Sequence, residues 1–100
     1  MITGSQCRAA RALVEVSRTL LAKRSKVDEL IIEQFERKIE VPGPTAIASI
    51  RKTLEELGAV FIPDETRGGI GVRLKFSKSE AKRISRLEGE GGIVANDDVP

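Results

Sequence analysis

The spacing of apolar residues changes at Gly58, and this change constrains the fold more than any other feature of the chain. Before it, Ile47, Ile50, Leu54 and Leu57 recur every three or four residues, which is typical of a helix with one buried face. After it, apolar and polar residues alternate in IGVRLKF, as in a β-strand with one covered face. The 100 residues therefore predict one mainly α-helical domain that continues into a β-hairpin.

Three shorter helices are predicted before VPGPT, at 5–16, 18–25 and 28–38, with a fourth at 45–57. Ser5, Ser17 and Asp28 are the predicted N-caps, because their side-chain oxygens can accept from the free amides of a first turn. The predicted inward residues are Ala10, Leu13, Val14 and Val16 on the first helix, and Ile32, Phe35, Glu36 and Ile39 on the third. The Pro residues of VPGPT separate the third helix from the fourth.

The C-terminal part is predicted to be a hairpin at 59–76, whose turn is PDETRGG. Val72, Leu74 and Phe76 are expected on its covered face. Ser77 followed by Glu80 resembles a capping box and predicts a short basic helix at 77–88. The Gly-rich, acidic segment 89–100 is expected to be a flexible tail.

The amino-acid composition argues against several classes of function. The chain has no His, which argues against Ser-His or Cys-His catalysis and the usual zinc ligands, so we expect no enzyme, metal or cofactor. Three Phe are the only aromatic residues, which disfavours stacking on single-stranded bases. Cys7 is interpreted as a small hydrophobic core residue. No apolar run is long enough for a membrane span or signal peptide, and a cytoplasmic, nucleoid-associated protein is expected.

Charge is distributed unevenly along the chain. Residues 1–26 carry six basic residues and one acidic residue, a net charge of +5, whereas residues 27–44 carry five acidic and two basic residues, a net charge of −3. Such asymmetry suggests a charged partner, although charges that only cover solvated helix faces are the simpler alternative. The third predicted helix, with its acidic cap, holds four of these acidic residues.

The segment SRTLLAKRSKVDELIIEQFERK resembles the phage-repressor-like (XRE/Cro) helix-turn-helix family. The matching residues are Ser17, Leu21, Ala22, Val27, Ile32, Phe35, Glu36 and Pro42. The resemblance covers 5–58 and implies a lambda-repressor-like helix-turn-helix DNA-binding domain at 1–58. The sequence differs from the family pattern at Arg18, where Gln is frequent, and at Lys26 and Lys38, where Gly is usual. At the turn position, Lys26, a positive φ would be uncommon for a residue other than Gly.

The resemblance also implies roles for individual residues. Arg11 and Glu36 correspond to an ion pair that clamps the first helix to the third. The implied base-reading residues are Glu29, Leu30, Glu33 and Gln34. The implied phosphate-contacting residues are Arg18, Lys26, Arg37, Lys38 and Thr45. In such domains the N-terminal part of the third helix enters the major groove.

The expected function is therefore a sequence-specific, double-stranded DNA-binding transcriptional regulator, with repressor as the favoured form. A homodimer is expected because two half-sites require two-fold symmetry. The hairpin is either the dimer interface or a cap on the fourth helix. The alternative is a protein-binding module, antiactivator or antitoxin-like, that uses Leu30 with the acidic residues Glu29 and Glu33 around it.

Overall fold

The computed structural model describes residues 1–76. It contains four helices, α1 (Gly4–Val14), α2 (Arg18–Ser25), α3 (Glu29–Glu36) and α4 (Pro44–Glu56), and then two strands, β1 (Ala59–Ile62) and β2 (Gly71–Leu74). The strands pair antiparallel, with Ala59 opposite Leu74 and Ile62 opposite Gly71. The predicted order of four helices and a hairpin is confirmed. The predicted helix at 77–88 and tail at 89–100 lie outside the described residues.

The first helix begins one residue earlier than predicted, and its cap is Thr3 rather than Ser5. The Thr3 hydroxyl accepts from the Gln6 amide at 3.1 Å, and Gln6 Oε1 accepts from the Thr3 amide at 3.0 Å. This reciprocal capping box satisfies two free donors at once, whereas Ser5 is already inside the helix. The prediction of Ser5 was therefore wrong.

Gln6 also joins α1 to the hairpin. Its Nε2 donates to the carbonyl oxygens of Ile62 at 3.3 Å and Gly71 at 2.9 Å, which are opposite residues at one end of the two-stranded ladder. The side chain is almost fully buried, and both its oxygen and its nitrogen have partners. A single amide thus connects the N-cap of α1 to residues more than fifty positions away.

We expect Gln6→Glu to destabilise the domain by at least about 1 to 3 kcal/mol, the typical cost of leaving buried hydrogen-bonding groups without partners. The new carboxylate charge would also be buried against the carbonyl oxygens of Ile62 and Gly71, which adds to this cost. The substitution keeps an oxygen that can accept from Thr3, so the loss combines the broken link to the hairpin with the cost of the buried charge. Urea unfolding at neutral pH gives the free energy of unfolding. A loss below about 0.5 kcal/mol, the size of an ordinary surface substitution, would show that the link contributes little.

The caps of α2 and α3 are as predicted. The Ser17 hydroxyl accepts from the Leu20 amide at 3.0 Å, and the Asp28 carboxylate accepts from the Leu30 amide at 2.8 Å. Both helices are followed by a left-handed residue, Lys26 with φ 63° and Lys38 with φ 61°. These are the two positions where the family that the sequence resembles usually has Gly.

The buried core lies between the four helices and the inner face of the hairpin. Its apolar members are Ile2, Cys7, Ala10, Leu21, Val27, Ile32, Phe35, Ile47, Ile50, Leu54, Ala59 and Phe61. The core is mainly aliphatic, with two of the three Phe residues, Phe35 and Phe61, also buried in it. No helix among residues 1–76 is long and apolar enough to cross a membrane.

Three predicted inward residues are exposed instead. Leu13 is 39% exposed, because α1 turns Gln6, Cys7 and Ala10 toward the core. Ile39 is 59% exposed, because α3 ends at Glu36 and the left-handed Lys38 redirects the chain before Ile39 is reached. Phe76 is 41% exposed, because β2 ends at Leu74.

Candidate functional site

The candidate site is the outward face of α3 together with the turn that joins it to α2. The turn is short because Lys26 closes α2 in the left-handed conformation and Asp28 caps α3 two residues later. Ile32 and Phe35 face the core from α3, whereas Leu30 is 58% exposed on the other side of the helix. The inward and outward faces of α3 are therefore clearly separated near its N-terminus.

Each of the four acidic residues in this region has a partner within the chain. Asp28 caps α3, and Glu29 accepts from the Thr19 hydroxyl at 3.0 Å. Glu33 forms an exposed ion pair with Arg37 at 3.1 Å, one helical turn further along the chain. The fourth, Glu36, has a fully buried side chain. The outward face of α3 is consequently less acidic than its sequence suggests.

Glu36 is the centre of a buried charge cluster. Arg11 donates to it through two nitrogens, Nε to Oε2 at 2.7 Å and Nη2 to Oε1 at 2.8 Å. Arg18 adds a third bond, from Nε to Oε1 at 3.0 Å. Burial acts to raise the pKa of Glu36, but the hydrogen bonds from Arg11, Arg18 and Cys7 together outweigh it and hold the pKa below its ordinary value. Glu36 is therefore a carboxylate at neutral pH.

The ion pair between Arg11 and Glu36 is present as the resemblance implied. Its geometry is bidentate, which is the strongest arrangement of a guanidinium and a carboxylate. Arg18, however, also binds Glu36, whereas the resemblance implied only a phosphate contact for this residue. One of its nitrogens is used by Glu36, while its side chain is still 33% exposed. A phosphate contact from Arg18 stays a prediction.

Cys7 completes the buried cluster. Its thiol is fully buried and donates to Glu36 Oε2 at 3.2 Å. Burial, and then the hydrogen bond to Glu36, raise the pKa of this thiol well above its usual range. Since only a thiolate is a good nucleophile or metal ligand, Cys7 acts as a core residue that supports Glu36. Residues 1–76 contain no group of three acidic or Cys side chains arranged to hold a metal ion.

The structure brings together most of the predicted base-reading residues. Glu29 and Leu30 are exposed near the start of α3, and Glu33 lies half-buried beside them. Gln34 is also half-buried, and it lies in a groove against the start of α4 whose other walls are Ile31, Glu40, Val41, Pro42, Gly43 and Ala46. Gln34 is thus at the edge of the outward face and not at its centre.

The remaining predicted phosphate contacts are all exposed. Lys26 precedes α3, Arg37 and Lys38 follow it, and Thr45 lies in the first turn of α4. The N-cap of α4 is Gly43, which provides no side-chain hydrogen bond, and Pro44 occupies the first helical position. Cationic side chains therefore bracket α3 at both of its ends.

Two structurally important positions next to the buried cluster were not predicted from the sequence, Gly4 and Gln6. Gly4 is buried where α1 meets the end of α3, and a Cβ there would lie 2.0 Å from the Phe35 carbonyl oxygen. The capping role of Gln6 could have been predicted, because Thr followed three residues later by Gln is a capping-box pattern. Nothing in the local sequence marks the close approach at Gly4.

Comparison with known protein families and with curated proteins finds no match for this chain.

Proposed function

We propose that the chain is a double-stranded DNA-binding transcriptional regulator of the phage-repressor-like helix-turn-helix type. In this proposal α3 reads the major groove, and the protein acts as a nucleoid-associated homodimer. The observation that carries it is the arrangement of α2 and α3, which meet in a tight turn at the left-handed Lys26 and leave the N-terminal half of α3 exposed. This arrangement is the one that helix-turn-helix domains use to place a helix in the groove.

The charge distribution is compatible with a DNA ligand. Asp28 and Glu36 serve the fold, and Glu33 is paired with Arg37, so Glu29 carries the main unfavourable charge on the outward face. Exposed basic residues on α2 and around α3 supply attraction for phosphates; they are Lys23, Arg24, Lys26 and Lys38. An acidic side chain surrounded by basic residues lowers the affinity for incorrect DNA sequences and so favours discrimination between DNA sequences.

Homodimerisation through the hairpin is part of the proposal. Ile62, Ile70 and Phe76 are 36%, 46% and 41% exposed, so the hairpin presents apolar surface at its ends. A second copy would cover such surface and would place two reading helices on the two half-sites of one operator. The oligomeric state measured by sedimentation tests this part of the proposal separately from DNA binding.

We expect the purified protein to retain particular duplexes from a random DNA pool and to lose affinity steeply with added salt. On a selected duplex, Gln34→Ala should cost about 1 to 3 kcal/mol if Gln34 makes a bidentate base contact, and the loss should map to particular base pairs. A substitution of Lys23 should instead weaken all duplexes alike. Failure to retain any duplex, together with salt-insensitive behaviour, would overturn the proposal.

The second candidate function is a protein-binding module, and exposed apolar residues favour it. Leu30, Ile39 and Val41 are 58%, 59% and 72% exposed on and just after α3. Apolar side chains exposed at both ends of one helix offer anchors for a protein partner. In that case Leu30→Asp should abolish complex formation with a copurifying partner, while the thermal unfolding profile stays unchanged.

A further inference from the structure

We infer that the groove between α1 and the C-terminal end of α3 binds a phosphodiester strand that flanks the duplex segment read by α3. This inference rests on the proposed DNA-binding function, which already assigns Arg37 and Lys38 to phosphates, and it extends the contact surface onto α1 through Arg8. This α1 groove is lined by three basic side chains, Arg8, Arg37 and Lys38, and by three small side chains, Ser5, Ala9 and Ala12.

The charge of the α1 groove favours an anionic occupant. Glu36 is the only acidic residue that contributes to its lining, and its buried carboxylate already binds two arginines. Arg37 shares its charge with Glu33, but Arg8 and Lys38 have no ion-pair partner among the residues that the structure describes. The groove and the buried cluster beneath it thus carry an excess of positive charge.

A nucleic-acid strand fits the α1 groove better than an acidic peptide does. The lining contains no large apolar side chain, whereas peptide recognition relies on pockets for such anchors. Small residues at positions 5, 9 and 12 would let a phosphodiester backbone approach the helix closely. The groove also continues the outward face of α3, because Arg37 lines it and at the same time contacts Glu33 on that face.

The backbone of Lys38 allows a clean substitution. Its φ of 61° lies in the left-handed region, where Gly would be tolerated at lower cost. Replacing Lys38 by Gly therefore removes the cation without adding backbone strain. Glu15, at the end of α1, has the same conformation with φ 60° and contributes nothing to the groove, which makes it a matched control for the backbone effect.

The test measures binding of the full chain to a labelled random-sequence duplex of about 30 base pairs, by fluorescence anisotropy between about 50 and 200 mM salt. Arg8→Ala and Lys38→Gly should each reduce the slope of log affinity against log salt by about one, and the double variant by about two. Lys52→Ala, which removes an exposed cation on α4, and Glu15→Gly should leave the slope unchanged. Circular dichroism and thermal unfolding verify that every variant is folded.

The outcomes separate the two proposals. If the wild-type chain binds the duplex and Arg8→Ala keeps the wild-type slope, the groove inference is overturned while the proposed function stands. If the wild-type chain shows no salt-dependent binding, both proposals fail. Binding of an acidic polyglutamate peptide that is lost in Arg8→Ala, without such loss for the duplex, would assign the groove to a protein partner and overturn the inference.

Discussion

Replacing Gly4 by alanine is expected to destabilise the domain by about 3 kcal/mol or more, which is at or beyond the upper end of the usual cost of overpacking a core. The added Cβ would lie 2.0 Å from the carbonyl oxygen and 2.8 Å from the carbonyl carbon of Phe35. Both are backbone atoms, so no side-chain rotation can relieve the contact. Either α1 must move away from α3, or the end of α3 must distort.

The consequence extends beyond stability because the same junction holds Glu36. A displacement of α1 would carry Arg11 and Cys7 away from their hydrogen bonds with Glu36. Urea unfolding of Gly4→Ala against wild type measures the loss. Gly69→Ala is the control, since a Cβ there meets no atom within 4 Å, and it should leave stability unchanged or raise it slightly. Equal stabilities of the two variants would show that the α1–α3 junction can relax.

The elements that sequence predicted correctly are those whose signals are local. The spacing of three and four residues between Ile47, Ile50 and Leu54 identified the inner face of α4, and all three side chains are buried. Ser17 and Asp28 were identified as caps because a cap acts on amides only two or three residues away. The presence of a helix, its apolar period and the caps of α2 and α3 are therefore readable without knowledge of tertiary contacts.

What sequence could not predict depends on contacts between distant segments. The hydrogen bonds of Gln6 reach Ile62 and Gly71, which lie 56 and 65 residues away, and the capping-box pattern at Gln6 gives no sign of this long-range link. Ile39 was placed on the inward face because its spacing continues that of Ile32 and Phe35. The helix ends three residues earlier, and periodicity alone does not reveal this end.

The candidate site was predictable in part. The roles of Asp28 as a cap and Glu36 as the partner of Arg11 followed from position and resemblance, and the structure contains both interactions. The second arginine at Glu36 was not anticipated, because Arg18 is separated from it by 18 residues and by a helix boundary. The roles of Glu29, Leu30, Glu33 and Gln34 toward a ligand stay predictions.

Replacing Glu36 by glutamine is expected to destabilise the domain by about 3 to 5 kcal/mol, since removal of one partner from a buried ion pair strands the other charge. Two arginines lose their counter-charge here, and the new amide nitrogen would point donors at guanidinium donors. The exposures of Arg11 and Arg18, 17% and 33%, allow some rehydration and favour the lower end of that range. Even so, the loss is a substantial part of the roughly 5 to 15 kcal/mol that stabilises a typical domain.

Acid pH provides the decisive measurement for Glu36. Its folded-state pKa lies below the ordinary value, so its contribution is fully present above the unfolded pKa of about 4.3 and is lost as pH falls through the folded pKa. The difference in unfolding free energy between wild type and Glu36→Gln should therefore be large at neutral pH and shrink progressively below about pH 4. Glu33→Gln, which removes the exposed partner of Arg37, should cost no more than about 1 kcal/mol at neutral pH. If Glu36→Gln were as mild as Glu33→Gln, the buried cluster would be a feature of geometry without energetic weight, and the clamp between α1 and α3 would have to come from apolar packing alone.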